Sequence, residues 1–371
     1  MTYKVLALAL VLSASPAYAQ LGGLGKKIGQ AKDAKNKAEK VASLVISESD
    51  ERKIGEKVSE MVRRNFGVFQ DKSVTRYVTL VGTVMAQASS RPDLKWEFIV
   101  LDTDGVNAFA SPGGLVHITR GALGLIKSEA ELAGVLGHEI THLTKRHTVN
   151  SIQKSKRVEF AAEVAPGSNT WIEGLTNAVY DNIVEKGFDR GDEEEADKEG
   201  LRLANKVGYN PTGLGTFLTK LAARNKDVQT SRNGLFASHP ETQGRIDDLG
   251  KQIKSERLAG TALAQARYAS HIKFDVKPLS EIAAIISGTR GVAGDGKAAT
   301  KEEEKPKKKG IGVGGFKLST GKQADSTQAS ASAGNRAVGT DRHAPGGSNP
   351  SKLSITVTPA EIDTFRKGIA G

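Results

Sequence analysis

The chain has 371 residues, 38% of them hydrophobic, with a formal net charge of +11 and no cysteine. That length can bury one sizeable core with material left over, and the missing cysteine excludes disulfides and leaves any metal site to His, Asp or Glu. Aromatic residues make up only 5% and are not interleaved with the basic runs at 26–40 and 305–309. This argues against a platform for stacking nucleic-acid bases, and no nucleic-acid partner is expected. The excess charge suits solvated linkers, or peripheral contact with an anionic membrane or cell-wall surface.

Residues 1–19 combine Lys4, the apolar run VLALALVL and the small-residue site Ala17-Tyr18-Ala19, the pattern of a cleaved secretory signal. The run is too short to span a bilayer, and no other stretch approaches the ~20 apolar residues a membrane helix needs. A periplasmic or secreted location without a lipidated cysteine is therefore expected. Residues 20–46 form a basic, flexible lead-in, and 47–287 carry the apolar spacing of a folded body. Gly, Ala, Ser, Thr, Lys and Pro dominate 288–350, a low-complexity linker; 351–371 is a short C-terminal segment whose ITVTPAEIDTFRKGI suggests a strand and a short helix.

Within the body, ESDERKIGEKVSEMVRRNF (48–66) and KSVTRYVTLVGTVMAQAS (72–89) place apolar residues at i, i+3 and i+4 and are expected to be amphipathic helices. WEFIVLD (96–102) reads as a buried strand and LVHIT (115–119) as a second one, with NAFASPGG (107–114) as an irregular edge between them. Alternation in LVHIT puts His117 opposite Val116 and Ile118, facing solvent or a subsite. Asp102 and Asp104 are read as turn residues, since two aspartates without further ligands do not make a calcium site. His271 and His343 lie near no motif.

Ser128 and Glu131 then supply a capping box for a helix that carries HEITH, residues 138–142. On a helix, His138 and His142 stand one turn apart and can aim two imidazole nitrogens at one point. Glu139 is rotated off that line, where it can act on a water without serving as a ligand. A zinc hydrolase needs a third protein ligand and an open position. His147 misses the spacing of the HExxHxxGxxH pattern by one residue, and Lys145 stands where that pattern has glycine, so His147 is read as structural. The other source is FDRGDEEEADKEGLRLANKVGYNP (188–211), a helix with a Gly208 and Pro211 stop. Glu193 and Asp197 share one face of it, so one could ligate a metal while the other holds a ligand histidine.

GHEITH followed some fifty residues later by R-x-x-E-x-E-A-D (190–197) resembles the gluzincin family of CAAX prenyl endopeptidases, HtpX-type membrane proteases and periplasmic BepA-like proteases. NAFASPGGLVHITRGAL resembles the family's segment before the zinc helix, and SHPETQGRID (238–247) its later His-Pro segment. The resemblance implies an α+β fold: a mostly helical zincin-type catalytic domain with a small sheet whose edge strand flanks the zinc helix. It implies one Zn2+ held by His138, His142 and Glu193, with Glu139 as general base, Asp197 orienting a ligand histidine and Arg245 near the acidic motif. His239 falls where the family has a histidine facing the site; it is read as a catalytic residue that donates to a developing oxyanion, the alternative being that it closes the fourth position and keeps the enzyme latent. The edge strand, from Asn107, Ala108, Phe109 and Ala110 to Gly113 and Gly114, would receive an extended substrate. The expected function is an exported zinc endopeptidase acting on unfolded or misassembled envelope proteins, in quality control. The competing class is a chaperone-like assembly factor that uses the same strand with little hydrolysis. The chain departs from the family's membrane branch in having no spans, and from the BepA-like branch in having no helical repeat domain after the body.

Overall fold

The computed structural model describes residues 46–154, 167–226, 239, 242–282, 341 and 344–369. The signal-like start, nearly all of the basic lead-in, most of the low-complexity segment and His343 lie outside the described residues. Helix α1 (Glu48–Phe66) begins where the Ser47 hydroxyl accepts the Asp50 amide. Helix α2 (Lys72–Ala88) begins where Asp71 accepts the amides of Ser73 and Val74. Such side-chain acceptors satisfy amides that the first turn leaves without partners. Among the described residues no helix is long and apolar enough to cross a membrane.

Three strands follow, β1 (Glu97–Leu101), β2 (Ala108–Ser111) and β3 (Leu115–Thr119), in the spatial order β1-β3-β2. β1 runs parallel to β3, and β2 antiparallel, with Phe109 and Ile99 both opposite His117. The segment read as an irregular edge is thus a regular strand as far as Ser111. Gly113 and Gly114, at φ 77° and 97°, make the turn into β3. A methyl group on Gly113 would lie 2.6 Å from the Arg52 Cα, so the turn is closed to larger residues.

The sheet is covered on both faces. Phe98, Val100, Ala108, Ala110, Val116 and Ile118 join the main core with α2 and the helices that follow. Ile99, Leu101, Phe109 and Leu115 join a second core with α1 and with Trp171, Ile172 and Leu175 of a later helix. His117 is therefore fully buried, not solvent-facing as its alternation suggested. Its Nε2 lies 2.8 Å from the Ser59 hydroxyl of α1, and burial pushes its pKa down to about 3, so it stays neutral.

A short helix α3 (Arg120–Leu125) leads to α4 (Glu129–Thr144), which carries HEITH. Then come α5 (His147–Lys154), α6 (Asn169–Tyr180), a π-helical turn (Asp181–Lys186), α7 (Arg190–Val207), α8 (Gly213–Arg224), α9 (Thr242–Ser255) and α10 (Gln265–His271). Helix α4 lies at the centre, with α7, α8, α2 and β2 against it. Its buried Glu129, in the first turn, accepts hydrogen bonds from Tyr77 (2.8 Å), Tyr209 (2.6 Å) and Arg267 Nε (2.7 Å), tying the helix start to three other segments. Further along, α4 and α7 touch backbone to backbone: a methyl on Gly200 would lie 2.7 Å from the His138 amide nitrogen. That close approach brings the HEITH segment and the acidic segment to one place.

Arg120 pairs with both Asp102 (3.2 Å) and Asp104 (2.6 Å), in keeping with the turn reading. The end of the segment read as a linker already lies on the body, ahead of the C-terminal segment: Asn349 O accepts the Val68 amide at 2.7 Å, and Asp102 O that of Gly347 at 2.8 Å. Helix α11 (Pro359–Lys367) has a full capping box from Thr358 and Glu361, and Ile362 and Ile369 enter the main core. The strand expected over ITVT does not form; Thr356 O accepts from the Arg76 side chain at 3.1 Å in place of a neighbouring strand.

Candidate active site

Helix α4 aims His138 Nε2 and His142 Nε2 at each other, 3.0 Å apart. Helix α7, capped by Asp189, brings Glu193 Oε1 to 3.4 Å from His142 Nε2 and Oε2 to 3.6 Å from His138 Nε2. His239, far along the chain, places its Nδ1 3.1 Å from His138 Nε2 and 2.6 Å from Glu193 Oε1. Each of these four residues offers one donor atom, all within 4.8 Å of one another, and all four are buried.

The charges around them are arranged from α7 and α9. Arg245 donates to both Asp197 oxygens at 2.7 Å, and its Nη1 lies 2.9 Å from Glu193 Oε2. Asp197 Oδ1 in turn lies 2.9 Å from His138 Nδ1. Burial alone would raise both carboxyls, but Arg245 holds Asp197 down to about 2, and His239 with Arg245 hold Glu193 well below the usual range. Burial pushes His142 well below its ordinary value, leaving a neutral imidazole with a lone pair to give. For His239 burial works downward too, but the Glu193 charge outweighs it and raises the pKa.

Glu139 stands beside this cluster without joining it. Both its oxygens are buried with no hydrogen-bond partner among the described residues; His239 Nε2 is 3.6 Å from Oε1. Burial raises its pKa. A buried carboxylate without a partner is costly, and its presence here points to a proton it is placed to receive.

The donor set fits a tetrahedral metal ion. Zinc–nitrogen and zinc–oxygen bonds of ~2.0–2.2 Å correspond to donor–donor edges of about 3.3–3.6 Å. Four of the cluster's separations, 3.0, 3.1, 3.4 and 3.6 Å, fall near such edges, while His239 Nδ1 to Glu193 Oε1 is shorter at 2.6 Å. Two or three imidazoles with one ionised carboxylate form the donor chemistry zinc takes.

The structure thus brings together His138, Glu139, His142, Glu193, Asp197, His239 and Arg245, whose positions were read from the sequence. Asn107 lies beside the strand that holds Ala108, Phe109 and Ala110, while Gly113 and Gly114 sit in its turn. All of Ala108–Ser111 is buried, backbone included, and the π-helical turn packs beside it, so this strand is closed to a second chain in this conformation. Two contacts had no clear signal in the sequence. Phe188, in the residue before the α7 cap, stacks on the His142 ring with centroids 3.8 Å apart. His147 Nδ1 meets His142 Nδ1 at 2.9 Å.

Residues 72–253 match the sequence profile of peptidase family M48. Among curated proteins, the chain is 25% identical over 236 residues to the beta-barrel assembly-enhancing protease of Yersinia pestis, covering 60% of this chain and 48% of that protein. The protein of the same name from Escherichia coli K12 is 22% identical, over 58% of this chain and 46% of its own length. The mitochondrial metalloendopeptidase OMA1 of Schizosaccharomyces pombe is 32% identical over 185 residues, 50% of this chain and 54% of that one. The chain spans about half the length of these relatives. The profile match runs from α2 to α9 and encloses all seven residues of the cluster and its supports, so residues 72–253 carry the sequence pattern of peptidase family M48 around this site.

Proposed function

We propose that the chain is a zinc-dependent endopeptidase that hydrolyses peptide bonds of unfolded or misassembled cell-envelope proteins. The observation that carries the reading is Glu139, a buried carboxylate with no hydrogen-bond partner among the described residues, beside four converging donors. His138, His142 and Glu193 would hold the ion. When bound, zinc supplies electrophilic activation of the scissile carbonyl and makes water a nucleophile at neutral pH. Glu139 takes the proton from the attacking water at a carboxylate oxygen and returns it to the leaving amine. Asp197, braced by Arg245, keeps His138 oriented. A chaperone-like assembly factor that only binds extended chains would have no use for Glu139, which is why the hydrolytic reading is preferred.

The signal-like residues 1–19 support export to a periplasm-like compartment, and names among the relatives, which speak of beta-barrel assembly, support an envelope substrate. In this reading the catalytic unit is 47–287, with 20–46 and 288–350 as basic or low-complexity connectors whose basic runs at 26–40 and 305–309 would contact an anionic surface, and 351–371 as a short C-terminal segment that lies on the body as far as residue 369. Extended substrate would pair with β2 once the residues covering it open. The full chain should purify with about one zinc per molecule and hydrolyse a chemically denatured protein. 1,10-Phenanthroline should abolish hydrolysis and added zinc restore it. Hydrolysis indifferent to the chelator would overturn the proposal.

Of the two roles open to His239, the geometry favours the fourth ligand. Its Nδ1 lies among the donor atoms, closer to Glu193 than any other histidine nitrogen. Such a group closes the position water must take, and turnover waits for His239 to leave it. His239→Ala is therefore expected to raise hydrolysis of a denatured protein severalfold at unchanged zinc content. The oxyanion role predicts a fall of about 10²–10³ in turnover instead, and that result would decide for it.

A further inference from the structure

We infer that His147 and Glu195 are positioning residues for His142, and that they form a one-way chain of hydrogen bonds, ending at a carboxylate that Lys145 also holds, which fixes the tautomer and ring plane of that histidine. The inference rests on His142 being a metal ligand through Nε2, as proposed above.

The polarity follows from counting protons. His142 Nε2 faces the other donors, so as a ligand it keeps its lone pair there and carries its hydrogen on Nδ1. That Nδ1 is 2.9 Å from His147 Nδ1, and two ring nitrogens at this distance share a single proton. His147 must accept at Nδ1 and carry its own hydrogen on Nε2. Its Nε2 lies 3.1 Å from Glu195 Oε2, with Asp192 farther away at 3.8 Å, and a carboxylate can only accept. Glu195 Oε1 receives Lys145 Nζ at 2.6 Å. The first two links have one permitted direction, from the ligand outward, and the chain ends at the Glu195 carboxylate, which accepts from Lys145 on its other side in a half-exposed ion pair.

The local backbone is shaped to allow this. Helix α4 ends at Lys145, and Arg146 follows at φ 57°, a left-handed conformation that residues with a Cβ seldom adopt. Its guanidinium is held by Ile46 O at 2.7 Å and Glu51 at 3.1 Å. That turn returns His147 beneath His142, five residues earlier. An outlier kept by several contacts beside a site fits a functional constraint. Phe188 closes the other freedom, since a ring stacked 3.8 Å from His142 opposes its tilting while His147 fixes its rotation in the plane. The two ligand histidines are thus supported differently: His138 by a buried carboxylate clamped by Arg245, His142 by an imidazole relay that reaches the surface.

The test uses the full chain, measuring zinc affinity by competition with a chromophoric chelator and the ligand-field spectrum of the Co2+-loaded protein. His147→Ala is expected to bind zinc about 10–100-fold more weakly and to shift the cobalt bands, with thermal unfolding of the metal-free protein unchanged. His147→Asn places a carbonyl oxygen near the lost Nδ1 and should recover most of the affinity and the spectrum. Glu195→Gln, which still accepts, should lose less than His147→Ala. Wild-type affinity and spectrum in His147→Ala would overturn the inference, as would a loss that Asn does not rescue and that matches a loss of metal-free stability. His142→Ala separates the two levels: if it binds zinc like wild type, the ligand assignment is at fault and not the relay.

Discussion

Glu139→Gln is expected to lower hydrolysis by about 10²–10⁴-fold, the usual contribution of a general base, while zinc content and fold stay as in the wild type. The substitution keeps the shape of the side chain and removes only its ability to take a proton. Metal binding should survive because Glu139 is not among the four converging donors, which come from His138, His142, Glu193 and His239. Stability should not fall, since an ionised carboxylate with both oxygens buried and unpartnered is costlier than a neutral amide in the same place. Burial already raises the Glu139 pKa, which brings a carboxylate closer to the range where proton transfer near neutral pH is efficient. Turnover of a denatured protein, metal analysis and thermal unfolding should be measured on one preparation. A zinc-loaded variant with wild-type turnover would remove Glu139 from the chemistry and favour the binding-only reading.

The parts of the site that were legible in the sequence are those fixed within one helix. His138 and His142 are a turn apart, Glu193 and Asp197 are a turn apart, and helix periodicity with a Ser128 cap locates both faces without tertiary information. The choice of Glu193 over Asp197 as ligand was not available from spacing. It came from the family pattern, and the fold supports it by turning Asp197 toward His138 Nδ1 and Arg245. What the sequence concealed depends on segments meeting across the fold. His117 looks like an outward position in an alternating strand because nothing in LVHIT announces that α1 and α6 cover the second face of the sheet. The role of His147 hinges on Arg146 adopting a positive φ, which arginine does not advertise. Phe188 is a lone aromatic residue before a helix cap until the fold lays it on His142. The ITVT segment has strand composition but meets side chains where a strand would need a backbone partner.

Glu193→Ala is expected to abolish metal binding, in contrast to the partial loss expected for His147→Ala. Glu193 supplies the sole carboxylate of the cluster, and its charge is secured by His239 and Arg245 against the burial that would neutralise it. Without it, the remaining donors are imidazoles, which bring no negative charge, so the ion's charge loses its compensation in a buried site. The protein should still fold. Arg245 retains two hydrogen bonds to Asp197, and α4 and α7 keep their contact through Gly137 and Gly200. The cost to stability of the metal-free protein should be ~1–3 kcal/mol, the scale of one buried polar group losing its partner. Glu193→Gln isolates the charge from the shape: it retains an oxygen at the same place and should bind zinc far more weakly than wild type, though better than Glu193→Ala. Zinc-to-protein ratios after gel filtration, with denaturant unfolding of the metal-free forms, read both effects. If Glu193→Ala retains stoichiometric zinc while His147→Ala loses it, the third ligand is His147, and the relay argued from its contact with His142 fails with that assignment.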